Sequence, residues 1–209
     1  MKKYIAYILI GALIIGVLFI YPLYRNTFAP SVKTANGDDY ALYIPTGSDY
    51  ITVGKTLLRD EVISNVEGFH RVARWMNYPS TIKPGRYILE NGMSNREVVQ
   101  LLRSGQQSPI NFTFVKARIP EDFARVASGQ FEFSENELNR LMRDSAYLWE
   151  NYKLTPKTAL GIMVPNTYEM WWNTPAEDFV KRMYKEYRRF WNDTREAKRR
   201  KLNLDRMEI

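Results

Sequence analysis

Between Tyr4 and Tyr24 the chain has 21 consecutive uncharged positions, filled mainly by Ile, Leu, Val, Phe, Ala and Tyr. At about 1.5 Å per residue, such a helix covers a hydrocarbon core roughly 30 Å thick. About a dozen Ile, Leu, Val and Phe side chains favour insertion by on the order of 5 kcal/mol, with no charge opposing them. The pattern predicts a transmembrane helix over 4–24. A cleaved signal peptide is the alternative, but its apolar core would run about 7–15 residues and end in a small-x-small site, which Asn26–Pro30 does not offer. Lys2 and Lys3 precede the run and only Arg25 and Lys33 follow closely, so the N-terminus is expected inside and residues 25–209 outside.

Beyond the apolar run the periodicity changes. Residues 25–40 read as a polar linker with an Asn36-Gly37 turn, and Ala41–Ile44 as a strand. Helices are expected over about 50–60 and from the N-cap Asn65 to Trp75-Met76, followed by a second strand over Arg86–Leu89. Ser94-Asn95-Arg96-Glu97 has the spacing of a capping box and opens a helix ending at Ser104-Gly105. Ile110–Phe114 alternates as a half-buried strand and is expected to run on to Ile119, before Pro120. Ser134–Glu137 and Thr174–Glu177 have two further capping-box spacings. The first opens a helix through Leu141 and Met142 and on to Tyr147. The second opens one whose apolar stripe is Phe179, Met183, Tyr187, Phe190 and Trp191, with Lys181, Lys185, Arg188 and Arg189 elsewhere, either simply solvated or touching phosphate or wall polymer. Arg195–Lys201 holds five basic residues in seven and is expected to continue that helix. A fresh apolar pattern begins at Leu204–Ile209.

These elements predict an α+β protein: cytoplasmic tail 1–3, transmembrane helix 4–24, linker 25–40, a β-α-α-β subdomain over 41–106, and the first part of a mixed α/β domain over 107–209. Apolar residues at 45% and aromatics at 14% exclude a disordered exterior. The formal charge of +7 suits nucleic acid, an anionic membrane or an acidic polymer. An exterior location removes nucleic acid and leaves lipid head groups and cell-wall polymer.

The chain has no cysteine and one histidine, so thiolate chemistry is excluded and a zinc centre has few ligands; no metal or other cofactor is expected. His70 reads as a partly buried structural residue. No serine–histidine set, phosphate loop or metal-ligand spacing is present, leaving carboxylates as the available chemistry. Glycoside cleavage uses an Asp/Glu pair, or one acid when the sugar's own hydroxyl attacks. Glu169, beside Tyr168 and the Trp171-Trp172 pair, is the nearest candidate, and its alternative is an exposed carboxylate after a turn. The tryptophans either stack on sugar or pack.

One anchor, a small strand-helix-helix-strand unit and then Gly161-Ile162-Met163-Val164-Pro165-Asn166-Thr167-Tyr168-Glu169 form a recognisable series. It continues through Asn173–Glu177, Lys181-Arg182-Met183 and Trp191 to Lys201–Leu204. In this the sequence resembles the YceG-like endolytic murein transglycosylases, in a divergent, Bacteroidota-like form. The resemblance implies a LysM-like subdomain over 41–106 and the start of a catalytic domain after it. It also implies an enzyme of the cytoplasmic membrane whose globular part is extracytoplasmic, and which cuts nascent peptidoglycan strands to give 1,6-anhydro ends alongside the peptidoglycan synthases. Asn166, Thr167, Tyr168, Glu169, Trp171 and Trp172 would line the substrate groove. The family commonly has acids where Leu160 and Asn166 stand here. Its catalytic glutamate follows a segment like the lead-in at 204–209, so the general acid is expected beyond Ile209 and the present chain is expected to be inactive alone. A non-catalytic, membrane-anchored peptidoglycan-binding scaffold is the alternative reading.

Overall fold

The computed structural model describes residues 2–34 and 37–206, with the side chains of 2–9, 12 and 13 outside the description. The Asn36 half of the expected turn and the last three residues of the 204–209 pattern also fall outside it. The chain divides into two compact units, residues 1–108 and 109–209. Both are mixed α/β, with small antiparallel sheets.

In the first unit, α1 (Lys2–Phe28) precedes β1 (Tyr40–Ile44), α2 (Tyr50–Arg59), α3 (Val66–Trp75), β2 (Gly85–Leu89) and α4 (Asn95–Ser104). Strands β1 and β2 pair antiparallel in the register Leu42↔Tyr87. Their alternation sends Leu42, Ile44, Tyr87 and Leu89 into a core shared with Phe69 and Val72 of α3 and Val98, Val99 and Leu102 of α4. Asp49 and Asn65 cap α2 and α3 through their side chains. Ser94 and Glu97 form both bonds of the capping box on α4, and Gly105 closes that helix in the left-handed region at φ 75°.

Helix α1 covers the long apolar run and continues through Pro22 to Phe28. Among the described residues no helix is long and apolar enough to cross a membrane. The stretch read as a linker differs from that expectation. Residues 25–28 are helical, and Ser31 and Val32 are buried, with isolated bridges Pro30↔Ser94 and Val32↔Ile63. Its backbone N–H groups find partners in the folded unit: Ser31 and Val32 donate to the Met93 carbonyl and Lys33 to that of Val62.

In the second unit, β3 (Ile110–Phe114) is followed by α5 (Pro120–Ser128), α6 (Glu135–Arg143), α7 (Ser145–Tyr152), β4 (Asn166–Met170), α8 (Ala176–Phe190) and α9 (Asp193–Leu202). Phe179 of α8 is the hub of the core: its ring centroid lies 5.1 Å from Phe131, 5.3 Å from Phe133, 5.5 Å from Phe112 and 5.9 Å from Phe123. Most of these contacts are edge-on, the arrangement that ring quadrupoles favour.

Four local expectations are corrected here. Strand β3 stops at Phe114 instead of reaching Ile119, and Pro120 starts α5 with Glu121 and Asp122 in its first turn. Proline's fixed φ and the acidic first turn both suit a helix start. The helix opened at Ser134 breaks at Asp144, which ends α6 and caps α7 by accepting from the Tyr147 N–H at 2.9 Å. Thr174 does not cap α8: the N-cap is Pro175, and the Thr174 hydroxyl turns back to the Trp171 carbonyl at 2.7 Å. The basic run is a separate helix, α9, because Asn192 caps it through the Arg195 N–H at 3.0 Å.

Candidate functional site

The Asn166–Glu169 segment, expected to line the substrate groove, lies in strand β4, paired antiparallel with β3 in the register Thr113↔Thr167, Phe112↔Tyr168 and Asn111↔Glu169. Pairing imposes alternation: Tyr168 and Met170 point into the core while Thr167 and Glu169 are exposed. Thr113 and Thr167 share a hydroxyl–hydroxyl hydrogen bond of 2.9 Å on the outer face.

The six candidate residues therefore separate. Tyr168 is 3% exposed, its hydroxyl donates to the Val164 carbonyl, and burial pushes its phenol pKa up. It closes the core. Asn166 is exposed at the start of the strand, where its Oδ1 accepts from the Thr167 N–H at 2.8 Å. Trp172 is half-buried, and its carbonyl accepts from the Glu132 N–H at 3.0 Å.

Glu169 and Trp171 do come together. They line a groove of about 370 Å³ with Pro109, Thr174, Asp178 and Arg182. Trp171 is 50% exposed there. Its backbone is fixed because its carbonyl accepts from both the N–H (3.1 Å) and the hydroxyl (2.7 Å) of Thr174, so the turn from β4 to α8 is tied on the groove's floor. Arg182 is oriented by Glu186, with Nε 2.9 Å from Oε1. The groove thus offers two carboxylates, a guanidinium and an aromatic face, the groups that hydrogen-bond sugar hydroxyls and stack on a sugar ring.

Asp178 and Arg182 were not among the sequence candidates. They lie one and two turns along α8 from the Thr174-Pro175 corner, and only the strand placement of 166–170 brings Glu169 beside them. Both also line a second groove, of about 620 Å³, which carries Lys181, Lys185, Arg188 and Arg189. Among the described residues no group of three or more His, Asp and Glu is placed to hold a metal ion. His70 lies in the other unit, where its Nδ1 is 2.6 Å from the Tyr50 hydroxyl.

The family model for the YceG-like family matches residues 42–209, four-fifths of the chain. The chain belongs to the YceG-like family. That family is associated with lytic transglycosylase activity. Among solved structures, a crystal structure of the YceG-like protein lmo1499 from Listeria monocytogenes is similar at 18% identity and a TM-score of 0.43. The match covers 80% of this chain and 60% of that one, so the chain spans under two thirds of the listerial structure's length. No curated protein matches.

Proposed function

We propose that this YceG-like protein is a membrane-anchored, endolytic peptidoglycan lytic transglycosylase, and that the groove between β4 and α8 holds the glycan strand. Family membership over 42–209 carries the reading. The exposed Trp171 face flanked by Glu169, Asp178 and Arg182 supports it, because alternating apolar and hydroxyl-bearing faces of a sugar are matched by a ring beside charged hydrogen-bonding groups. The adjoining basic groove suits the carboxylates of peptide stems on the same strand. In the reaction, a glutamic acid protonates the glycosidic oxygen and then assists the sugar 6-hydroxyl as it closes on C1. Glu169 and Asp178 position the strand for that step.

Anchoring by α1 is part of the proposal. Val17, Leu18, Phe19, Ile20 and Tyr21 are 56–77% exposed, and five successive positions go more than once round a helix of 3.6 residues per turn. An apolar surface on every side requires an apolar surround. With Lys2 and Lys3 inside, residues 25–209 lie outside the cytoplasmic membrane, where nascent peptidoglycan and its synthases are found. Protease added to intact spheroplasts would then digest residues 25–209, and full protection would refute the topology.

The scaffold reading has one observation in its favour: Leu160, where the family resemblance expects an acid, is packed on the apolar core. Two measurements test the proposal: the first tests the groove, and the second separates the readings. Calorimetric titration with purified glycan strands should show Trp171→Ala binding about tenfold more weakly, consistent with loss of one aromatic contact of about 1 kcal/mol or more; unchanged affinity removes the groove from the proposal. Mass spectrometry of walls from cells making the natural gene product should show more 1,6-anhydro ends than walls from cells lacking it. No difference would leave glycan binding without catalysis.

A further inference from the structure

The C-terminal end of α1 is bolted to the rest of the first unit. Asn26 Oδ1 accepts from Asn65 Nδ2 at 2.7 Å, and the Asn26 carbonyl accepts from Asn95 Nδ2 at 2.9 Å. Asn65 caps α3 and Asn95 is the first residue of α4, so both helix starts are pinned to the same turn of α1. A helix fixed in this way cannot swing free of the unit it carries.

Beside the bolt lies a groove of about 490 Å³ between α1 and α3. Its α1 wall includes Ile20, Leu23, Tyr24 and Phe28, a stripe at helical spacing; its α3 wall includes Arg71 and Trp75, four residues apart on one face. Trp75 is 72% exposed, the most open large apolar side chain of α3. Arg71 is the one charged group lining the groove among the described residues, and the Arg96 guanidinium stands 5.4 Å over the Phe28 ring at its margin.

We infer that this groove is a phospholipid seat: the bilayer crossed by α1 fills it with an acyl chain, Trp75 and Tyr24 lie at the level of the head groups, and Arg71 and Arg96 face lipid phosphate. The inference rests on the anchoring reading of α1. It commits to lipid because the stripe on α1 is continuous with the all-round apolar surface of Val17–Tyr21, so whatever surrounds that surface reaches the groove. Tryptophan, tyrosine and arginine around an apolar slot are also the side chains that the membrane–water boundary collects. The first unit would then lie against the membrane in one orientation, held by α1 and by the face of α3.

The chain contains no cysteine, which makes a single-site label direct. The full chain carrying Trp75→Cys, labelled with bimane, is reconstituted into phosphatidylglycerol–phosphatidylethanolamine vesicles. Fluorescence is then quenched either by nitroxide-labelled lipid or by aqueous iodide, and flotation of the vesicles is scored separately. The expected result is loss of signal to nitroxide lipid with little loss to iodide, and weaker lipid quenching when Arg71→Glu is added. Floating protein with a label open to iodide overturns the lipid seat while leaving the anchor intact. A floating label shielded from both quenchers means that a second copy covers the groove, which also overturns it. Protein that fails to float overturns the anchor and the seat together. Because Trp75 is exposed, its replacement should leave the ellipticity of the chain unchanged, and the same flotation test on unlabelled wild-type chain checks the anchor independently of the substitution.

Discussion

Replacing Gly68 by alanine sets two effects of opposite sign against each other. On helix propensity alone, alanine should stabilise α3 by up to about 1 kcal/mol. Gly68 is, however, the third residue of α3, directly beneath the asparagines that hold α1. A Cβ there would stand 2.7 Å from Asn65 Nδ2, 2.8 Å from Asn65 Cγ and 2.8 Å from Asn95 Nδ2. Neither amide is free to give way. Asn65 Oδ1 accepts from the Gly68 N–H at 2.9 Å while its Nδ2 holds Asn26, and Asn95 is 1% exposed with its Nδ2 on the Asn26 carbonyl. Displacing Asn65 forfeits a helix cap, about 1 kcal/mol, and a side-chain hydrogen bond, about 1 kcal/mol. Disturbing a buried amide adds about 1–3 kcal/mol. The steric loss of about 3–5 kcal/mol exceeds the propensity gain, so Gly68→Ala should destabilise the first unit by about 2–4 kcal/mol. Guanidinium unfolding of the full chain in detergent should show a lower midpoint. Hydrogen exchange should quicken at Ser31, Val32 and Lys33, whose N–H groups are ordered by the same docking. A variant as stable as the wild type, or more so, would refute the lock.

In the second unit, Phe179→Ala removes the ring that four other phenylalanines face and should cost about 3–5 kcal/mol, read as a fall in the calorimetric transition of residues 109–209. Ser94→Ala should lose about 1 kcal/mol or more because both bonds of its capping box exist, whereas Thr174→Ala should cost less than Ser94→Ala because Thr174 caps nothing; paired denaturation midpoints check the contrast. Glu196 is bound by Arg199 at 2.7 Å and Arg206 at 3.1 Å, and these guanidinium groups, Arg199 first, hold its carboxyl down at about 2. The folded state therefore takes up a proton less readily than the unfolded one. The cluster's contribution is complete above the ordinary glutamate range and is lost as pH falls towards about 2. A carboxyl carbon-13 titration of Glu196 with a midpoint above about 4, the ordinary range for glutamate, would refute the cluster.

Much of the first unit could be read from residues adjacent in sequence. Its two strands were legible as short apolar runs between turns, and two of its helix starts are announced by Asn65 and Ser94, each of which does cap in the structure. Where the reading failed, a local signal had two possible users. Thr174-Pro175-Ala176-Glu177 has the spacing of a capping box, but the turn after β4 claims the threonine hydroxyl for the Trp171 carbonyl. Val115–Ile119 could extend a strand, yet Val115 is exposed and the paired strand β4 offers no partner beyond Asn166. The Asn192 cap was hidden inside a continuous basic pattern, because charge carries no information about where a helix is interrupted.

The candidate site shows the same division more sharply. Trp171 and Glu169 were visible as a carboxylate beside an aromatic, but their value as a site depends on β4 being a strand. Strand alternation is what turns Glu169 outward and Tyr168, its neighbour, inward. The short run 166–170 could not declare itself a strand alone, since its partner Ile110–Phe114 lies 52–60 residues away in the pairs of the ladder. The asparagine bolt on α1 has a similar origin. Asn95 sits inside a capping box, where its neighbours Ser94 and Glu97 account for the local signal, and nothing in that tetrapeptide requires an amide at its second position. The requirement comes from Asn26, 69 residues earlier, whose carbonyl would otherwise lack its side-chain donor at a part-buried helix end. A sequence shows which residues can make a site; in this chain both the groove beside β4 and the bolt exist only because pairings 39–69 residues apart choose among those capacities.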